Sequence, residues 1–355
     1  MNFLLIGQGL AGTLLGFRLE QAGHRVDYID APDQTAASQV AAGIVNPITG
    51  RRFVKSWRID ELLPTAEALY GQLEEVLGIK LWHPQPLIRT LYNRGDLNDW
   101  EARSADPGYP AYMDDRPDPG RIPELTEAVF AYAGVRHAAR VDVPQLVDSF
   151  RKKLLTEGRF STEAFDYATI PTLLGEGAGA RKGKNSQAPP PYDHIICCEG
   201  WRARFNPWFN YLPHGGNKGE VLIIKTEAPM LNRMFKHRVF LVPLSNATYW
   251  IGATSANQFT DDQPTPDNRS FLADRLAEVL TGTPYEILEH QAAVRPTVRD
   301  RRMFLGTHPE LRRLHIFNGL GTKGASLAPL GSKWLVAYLL EGKAIPEEVD
   351  IQRFG

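Results

Sequence analysis

The chain has almost no cysteine: two in 355 residues, Cys197 and Cys198, side by side. Adjacent cysteines close only a strained ring, and no third is present, so an internal disulfide framework is excluded. That fits a reducing compartment. In Tyr192-Asp193-His194-Ile195-Ile196-Cys197-Cys198 the pair reads as small core residues of a buried strand. Charge of one sign is not in excess either. Forty basic against 41 acidic residues leave −1, so no global basic field recruits nucleic acid, and nucleic acid is not an expected partner. No apolar run approaches the roughly 18 to 20 residues needed to span a bilayer. The apolar N-terminus lacks the basic start of a signal peptide, and the expected location is cytoplasmic. The nine histidines are scattered without H-x-H or H-E-x-x-H spacing, so no metal site is expected. There is no G-x-S-x-G elbow, no P-loop and no internal repeat.

What is present begins at residue 2. Asn2-Phe3-Leu4-Leu5-Ile6 is mostly apolar and reads as a buried parallel strand. It runs into Gly7-Gln8-Gly9-Leu10-Ala11-Gly12. Residues 11–22 follow with a helical pattern carried by Leu14, Leu15, Phe17 and Leu19. Gly23 ends that helix, and Arg25-Val26-Asp27-Tyr28-Ile29 reads as a second strand. Asp30 closes it, 18 residues after Gly12. A strand, a glycine turn, a helix, a strand and an acid form a complete dinucleotide-binding unit. Gly7 allows the tight turn, Gly9 lets backbone approach a pyrophosphate, and Gly12 lets helix lie close on sheet. The helix start offers free N–H groups and about half a positive charge. This unit alone does not separate FAD from NAD.

Further along, residues 35–47 are small, which implies close backbone approach. A helix is expected over 60–77, capped by Asp60 with Pro64 in its first turn. Between 79 and 135, strand-like runs at 87–92 and 128–132 flank a polar loop. Asp142 and Pro144 open a helix to about 155. Residues 175–191 read as an exposed loop whose Arg181, Lys182 and Lys184 are solvated. Strands at 220–225, 238–242 and 248–252 carry an antiparallel meander signature. A helix near 269–280, strands at 285–294 and 314–318, and a last helix stopped by Gly342 complete the chain. At 355 residues there is room for two cores. The expected fold is α/β: a Rossmann-like cofactor domain (1–77, 136–212, 291–355) interleaved with an antiparallel-sheet α+β substrate domain (78–135, 213–290).

At this point the residues resemble a known family, the FAD-dependent oxidoreductases of the D-amino-acid oxidase type, which include glycine oxidase and sarcosine oxidase. The resemblance runs through almost the whole chain in matching order. It includes Gly7 to Gly12 with Asp30, Ser38 with Ala41-Ala42-Gly43, and Val141-Asp142-Val143-Pro144. It continues through Cys197-Cys198-Glu199-Gly200-Trp201, Lys218-Gly219-Glu220 and Phe240-Leu241-Val242-Pro243 to Ile251-Gly252-Ala253-Thr254. Val294-Arg295-Pro296 and Gly319-Leu320-Gly321-Thr322-Lys323-Gly324 are the most telling. The resemblance implies FAD, held non-covalently by Gly7, Gly9, Leu10, Ala11, Gly12, Asp30, Ser38, Ala42, Gly43, Phe165, Gly200, Gly319, Gly321, Thr322, Lys323 and Gly324.

It also implies Arg295 as a carboxylate clamp, a guanidinium fork with two charge-assisted bonds; the alternative is a structural arginine paired with Asp300 or a carbonyl. Lys323 either adds positive charge beside the flavin or leaves that role to backbone N–H groups. Phe240 stands where several members place a substrate-site tyrosine, and Glu199 where they place a small apolar residue. Arg51, Arg52 and Lys55 either line an entrance attractive to acidic substrates or form a solvated turn. Arg295, Arg51 and Phe240 are thus the candidate substrate residues, and Arg295 and Lys323 the candidate catalytic ones. The implied activity is oxidation of a C–N bond in a small amine or amino acid, with oxygen or an electron carrier as acceptor. A flavin-dependent 2-hydroxy-acid dehydrogenase and a tRNA-modifying amine oxidase module are the alternatives.

Overall fold

A computed structural model describes residues 1–32, 35–120, 129–176, 191–226, 232–280 and 283–355. The loop expected at 175–191, with its three basic residues, lies almost wholly outside the described residues. Two compact units emerge, each made of separated chain pieces.

The first unit comprises 1–39, 143–217 and 294–355. Its six-stranded sheet has the order Phe160–Thr162, Arg25–Asp30, Asn2–Ile6, His194–Cys197, Leu314–Asn318, Phe304–Thr307. The first five run parallel and the last antiparallel. Parallel strands buried on both faces need continuous apolar runs, and Phe3 to Ile6 and Ile195 to Cys197 supply them, all buried. One face packs Leu4, Ile6, Ile195, Leu314 and Ile316 against Phe209, Ile170 and Leu174. Cys197 and Cys198 are free and buried, as their strand context implies, and burial pushes both thiols up. Helix Leu10–Gln21 lies close because residue 16 is glycine: a Cβ there would meet the Tyr28 hydroxyl at 1.8 Å. The last helix, Gly324–Glu341, ends at Gly342 in the left-handed region (φ 66°), as the glycine stop predicts.

The second unit comprises 40–142 and 218–293. Residues 40–77, grouped with the cofactor domain in the sequence reading, pack here. Hydrogen bonds explain it. Strand Ile44–Val45 pairs with Ala139–Val141, which pairs with Trp82–Pro84. Helix Ile59–Leu77 is tied to the same ladder by Glu74, which accepts the N–H groups of Leu81 and Trp82, each at 2.7 Å. Asp60 is not this helix's cap. Arg58 holds that position in a left-handed conformation, while Asp60 accepts the Tyr112 hydroxyl and pairs with Lys55 at 2.6 Å.

The main sheet of this unit has eight strands, in the order Tyr285–Arg295, Asn217–Thr226, Thr248–Gly252, Val239–Pro243, Met234–His237, Leu87–Leu91, Val129–Val135, Asp118–Gly120. The simple meander expected here is therefore corrected. Asn217–Thr226 pairs with Thr248–Gly252, and the hairpin Met234–His237 to Val239–Pro243 is set beyond it. Ile88, Phe235, Leu241, Ile251 and Leu222 form one apolar face under helix Pro266–Ala277, from which Leu272 and Leu276 are buried. The polar loop expected after residue 92 contains a helix, Arg94–Ser104. Asn93 caps it, accepting the Asp96 N–H at 3.0 Å. Trp100 anchors it, donating its ring N–H to the Asp114 carbonyl at 2.7 Å.

Candidate functional site

In the first unit the glycine turn after Asn2–Ile6 is built as its spacing demands. Gly7 has φ +94°, and a Cβ there would stand 2.6 Å from the Cys198 carbonyl oxygen. A Cβ at Gly12 would stand 2.1 Å from the Gly7 carbonyl oxygen. Both contacts are with backbone that cannot yield. At Gly9 a Cβ would meet only the Ser38 hydroxyl, at 3.2 Å. That hydroxyl in turn accepts the Leu10 N–H at 3.0 Å. Ser38 is thus brought to the turn from 28 residues away.

Parallel pairing places the carboxyl ends of four strands along one edge. Asp30, Gly7, Cys198 to Gly200, and Asn318 to Gly319 stand at those ends. Gly200 has φ +58°, and its carbonyl accepts the Asn318 side-chain N–H at 2.8 Å. Asn318 also accepts the Gly319 N–H at 2.7 Å. Gly319 (φ +75°) is crowded, with Val298 2.6 Å from a Cβ. Gly321 (φ +55°) has open space, its nearest neighbour the Pro296 oxygen at 4.0 Å. The Gly321 N–H donates to that same oxygen at 2.8 Å, which fastens the Arg295-Pro296 segment to the glycine turn.

The second helix start is here as well. A Cβ on Gly324 would lie 3.2 Å from the Leu10 side chain, so helices Leu10–Gln21 and Gly324–Glu341 begin side by side. Neither has a side-chain cap or an acid in its first turn. Apart from the Leu10 N–H, which Ser38 accepts, each start therefore presents N–H groups without an intrahelical acceptor and about half a positive charge. Lys323 precedes the second helix, and its carbonyl accepts the Ser326 and Leu327 N–H groups. Burial, with Arg301 and Arg302 nearby, holds its ammonium below the ordinary lysine range. Thr322 is exposed. Glycine-walled backbone and two adjacent helix starts with no acid in either first turn make an anion cradle of the kind a dinucleotide fits.

Asp30 is partly committed within the protein. One carboxylate oxygen takes the Gln8 N–H at 3.3 Å and the Arg151 guanidinium at 2.8 Å. Arg151 also donates to the Gln8 side chain at 2.6 Å. Burial outweighs Arg151 and leaves the carboxyl above its ordinary value. Gln8 and Arg151 were missed from sequence. The available signal was Arg151 one turn after the buried Val147, on helix Val143–Thr156. Phe165 stands edge-on to Tyr167 at 5.6 Å. Glu199 accepts the Tyr167 hydroxyl and the Asn206 amide, and desolvation pushes its carboxyl up.

Arg295 ends its strand half-buried and donates to the Asn217 side chain at 2.6 Å. Asp300 pairs instead with Arg353 at 2.8 Å. Burial lowers the Arg295 pKa from its ordinary value.

The remaining predicted residues belong to the second unit. Gly43 (φ +67°) is approached by the chain itself: a Cβ would meet the Val141 oxygen at 1.9 Å. Ala42 is buried beside it. Arg51 and Arg52 are exposed at the tip of the hairpin Ile48–Thr49 and Val54–Lys55. Phe240 is half-buried, with the Lys236 ammonium 4.3 Å from its ring centre. Among the described residues no helix is long and apolar enough to cross a membrane.

Residues 2–338 match the family described as FAD dependent oxidoreductase. The glycine oxidase of Geobacillus kaustophilus is 24% identical over 357 residues, covering 96% of this chain and 92% of the relative. Its crystal structure superposes with a TM-score of 0.79 at 22% identity, over 99% of this chain and 97% of that one. Iminodiacetate oxidase from Chelativorans sp. BNC1 gives 0.75 at 20% identity, over 99% and 98%. L-proline dehydrogenase from P. horikoshii gives 0.75 at 14% identity, over 99% and 97%.

Proposed function

The chain belongs to the FAD dependent oxidoreductase family, and from that premise we propose that it oxidises the C–N bond of a small amine or amino acid. The observation that carries this reading is the joining of Arg295 to the cofactor edge. The Pro296 carbonyl beside it accepts the Gly321 N–H, so a guanidinium fork is tied to the glycine turn of the cradle. Relatives and neighbours named glycine oxidase, iminodiacetate oxidase and L-proline dehydrogenase support the same reaction class.

FAD, when bound, supplies a two-electron acceptor; the protein binds, aims and tunes. Leu10, Ala11 and Gly12 would face the pyrophosphate at the first helix start. Asp30 would accept from a ribose hydroxyl while keeping Arg151. The backbone N–H groups of Thr322 and Gly324, with the Lys323 ammonium, would stabilise negative charge on the bound cofactor. No covalent attachment is assigned. Arg295 would take the substrate carboxylate through charge-assisted bonds of roughly 1.5–3 kcal/mol each. The amine loses two electrons and two hydrogens, and water hydrolyses the imine. Oxygen or an electron carrier takes the electrons onward. Arg51 and Phe240 would line the substrate side, and a cytoplasmic setting agrees with the two free cysteines.

The test is a visible spectrum of the purified protein, then anaerobic addition of an amine and amino-acid panel. Flavin absorbance that bleaches with an amine supports the reading. Flavin that stays oxidised with every amine but bleaches with 2-hydroxy acids overturns it in favour of a hydroxy-acid dehydrogenase.

A further inference from the structure

Resting on the reading that Phe240 lies beside the substrate, we propose that Arg89 and Lys236 form an anion-recognition site. The substrate would then be an amine or amino acid carrying a further acidic group.

Strand register carries the argument. Arg89 is opposite Lys236 in the parallel pair of Leu87–Leu91 with Met234–His237. Lys236 is opposite Phe240 in the next pair. Residues opposite one another share a sheet face, so two cations and the aromatic ring stand in one row. Their neighbours Ile88, Phe235 and Leu241 belong to the apolar core on the other face.

Like charges directly opposite on a sheet repel, and both of these side chains are partly buried. Burial and Arg89 push the Lys236 ammonium down to about 8. Burial also lowers the Arg89 pKa, and its Nε is buried without a hydrogen-bond partner. Among the described residues no carboxylate forms an ion pair with either; Tyr92 and then Asp96 attract Arg89 without pairing with it. The contacts they do make orient them without neutralising them. Arg89 donates to the Gly50 carbonyl at 3.1 Å and stacks 4.7 Å from the Phe53 ring centre. Lys236 donates to the Arg238 carbonyl at 2.5 Å. Gly50 adjoins Arg51, so the exposed basic hairpin is anchored to this same row. A guanidinium fork beside a point-charge ammonium suits an oxyanion, a carboxylate above all.

The test compares FAD-loaded wild type, Arg89→Met and Lys236→Met on matched amines, sarcosine against iminodiacetate and alanine against aspartate. Anaerobic flavin reduction should favour the acidic member at least tenfold in kcat/KM. Each variant should cost the acidic member at least tenfold more than its neutral partner. Succinate binding by titration calorimetry should weaken at least tenfold in both variants. Should Arg89→Met fail to fold, Lys236→Met and Arg89→Lys carry the comparison. Amines that reduce the flavin without acidic preference would overturn this inference and leave amine oxidation standing. Flavin reduced by no amine, with succinate binding lost in the variants, would sink amine oxidation and leave the anion site standing. Succinate binding that is absent, or equal in all proteins, would overturn the anion site.

Discussion

The edge of the parallel sheet in the first unit and the row Arg89–Lys236–Phe240 in the second recognise by different means. The first uses backbone. Its specificity lies in where side chains are forbidden: Gly7, Gly12 and Gly319 are each walled by neighbouring atoms. The second uses side chains set opposite one another by strand pairing, across 147 residues of sequence for Arg89 and Lys236. A backbone site is fixed by steric exclusion and, where its glycines are walled in, tolerates no added atom. A side-chain site is fixed by register and tolerates substitution at the expense of selectivity.

The strongest way to break that contrast is Gly12→Ala. With 2.1 Å between a Cβ and the Gly7 oxygen, the turn must open. We expect protein that is destabilised by about 1–3 kcal/mol or more and purifies with little flavin, read by visible absorbance per chain. Full flavin content would refute the cradle. Next comes Arg295→Met. Losing two charge-assisted bonds of roughly 1.5–3 kcal/mol each should lower kcat/KM about 10²- to 10⁴-fold while flavin content holds. A variant that only melts earlier would return Arg295 to a structural role.

A finer comparison lies within the glycine turn. Gly319→Ala meets Val298 at 2.6 Å, whereas Gly321→Ala meets only open space. The second should bear conformational strain alone, about 1–2 kcal/mol, and the first more. Thermal midpoints in that order check it. The smallest effect concerns pH. Folding lowers the Lys236 pKa from 10.5 to about 8, so between those values the unfolded chain binds more protons. Stability should therefore rise with pH across that window. Arg89, the Phe240 ring and the Arg238 carbonyl surround the ammonium. Lys236→Met should flatten that part of a denaturation profile, and an unchanged slope would show that the group is solvated.

Legibility followed range of interaction. The strand Asn2–Ile6, the helix it feeds and the stop at Gly342 were readable because each is decided by neighbours within a few residues. Helix Arg94–Ser104 was missed because Trp100 is its only buried apolar residue, set among polar and charged neighbours. Asp60 was misplaced as a cap because Tyr112, 52 residues away, competes for its carboxylate. The small residues at 42 and 43 announced close approach correctly in kind, yet the approaching group at Gly43 is the chain's own Val141.

Glycine spacing, apolar runs and the acid at position 30 determined by themselves that a dinucleotide cradle would form, because steric exclusion at a turn is a property of the residues in it. Tertiary structure alone decided that Arg151 would share Asp30, that Pro296 would tether Arg295 to Gly321, and that Arg89 would face Lys236. Arg151 is carried to Asp30 by helix Val143–Thr156 and Pro296 meets Gly321 backbone to backbone beyond their strands, while Arg89 meets Lys236 by strand register, where a shift of one residue would turn a side chain to the other face.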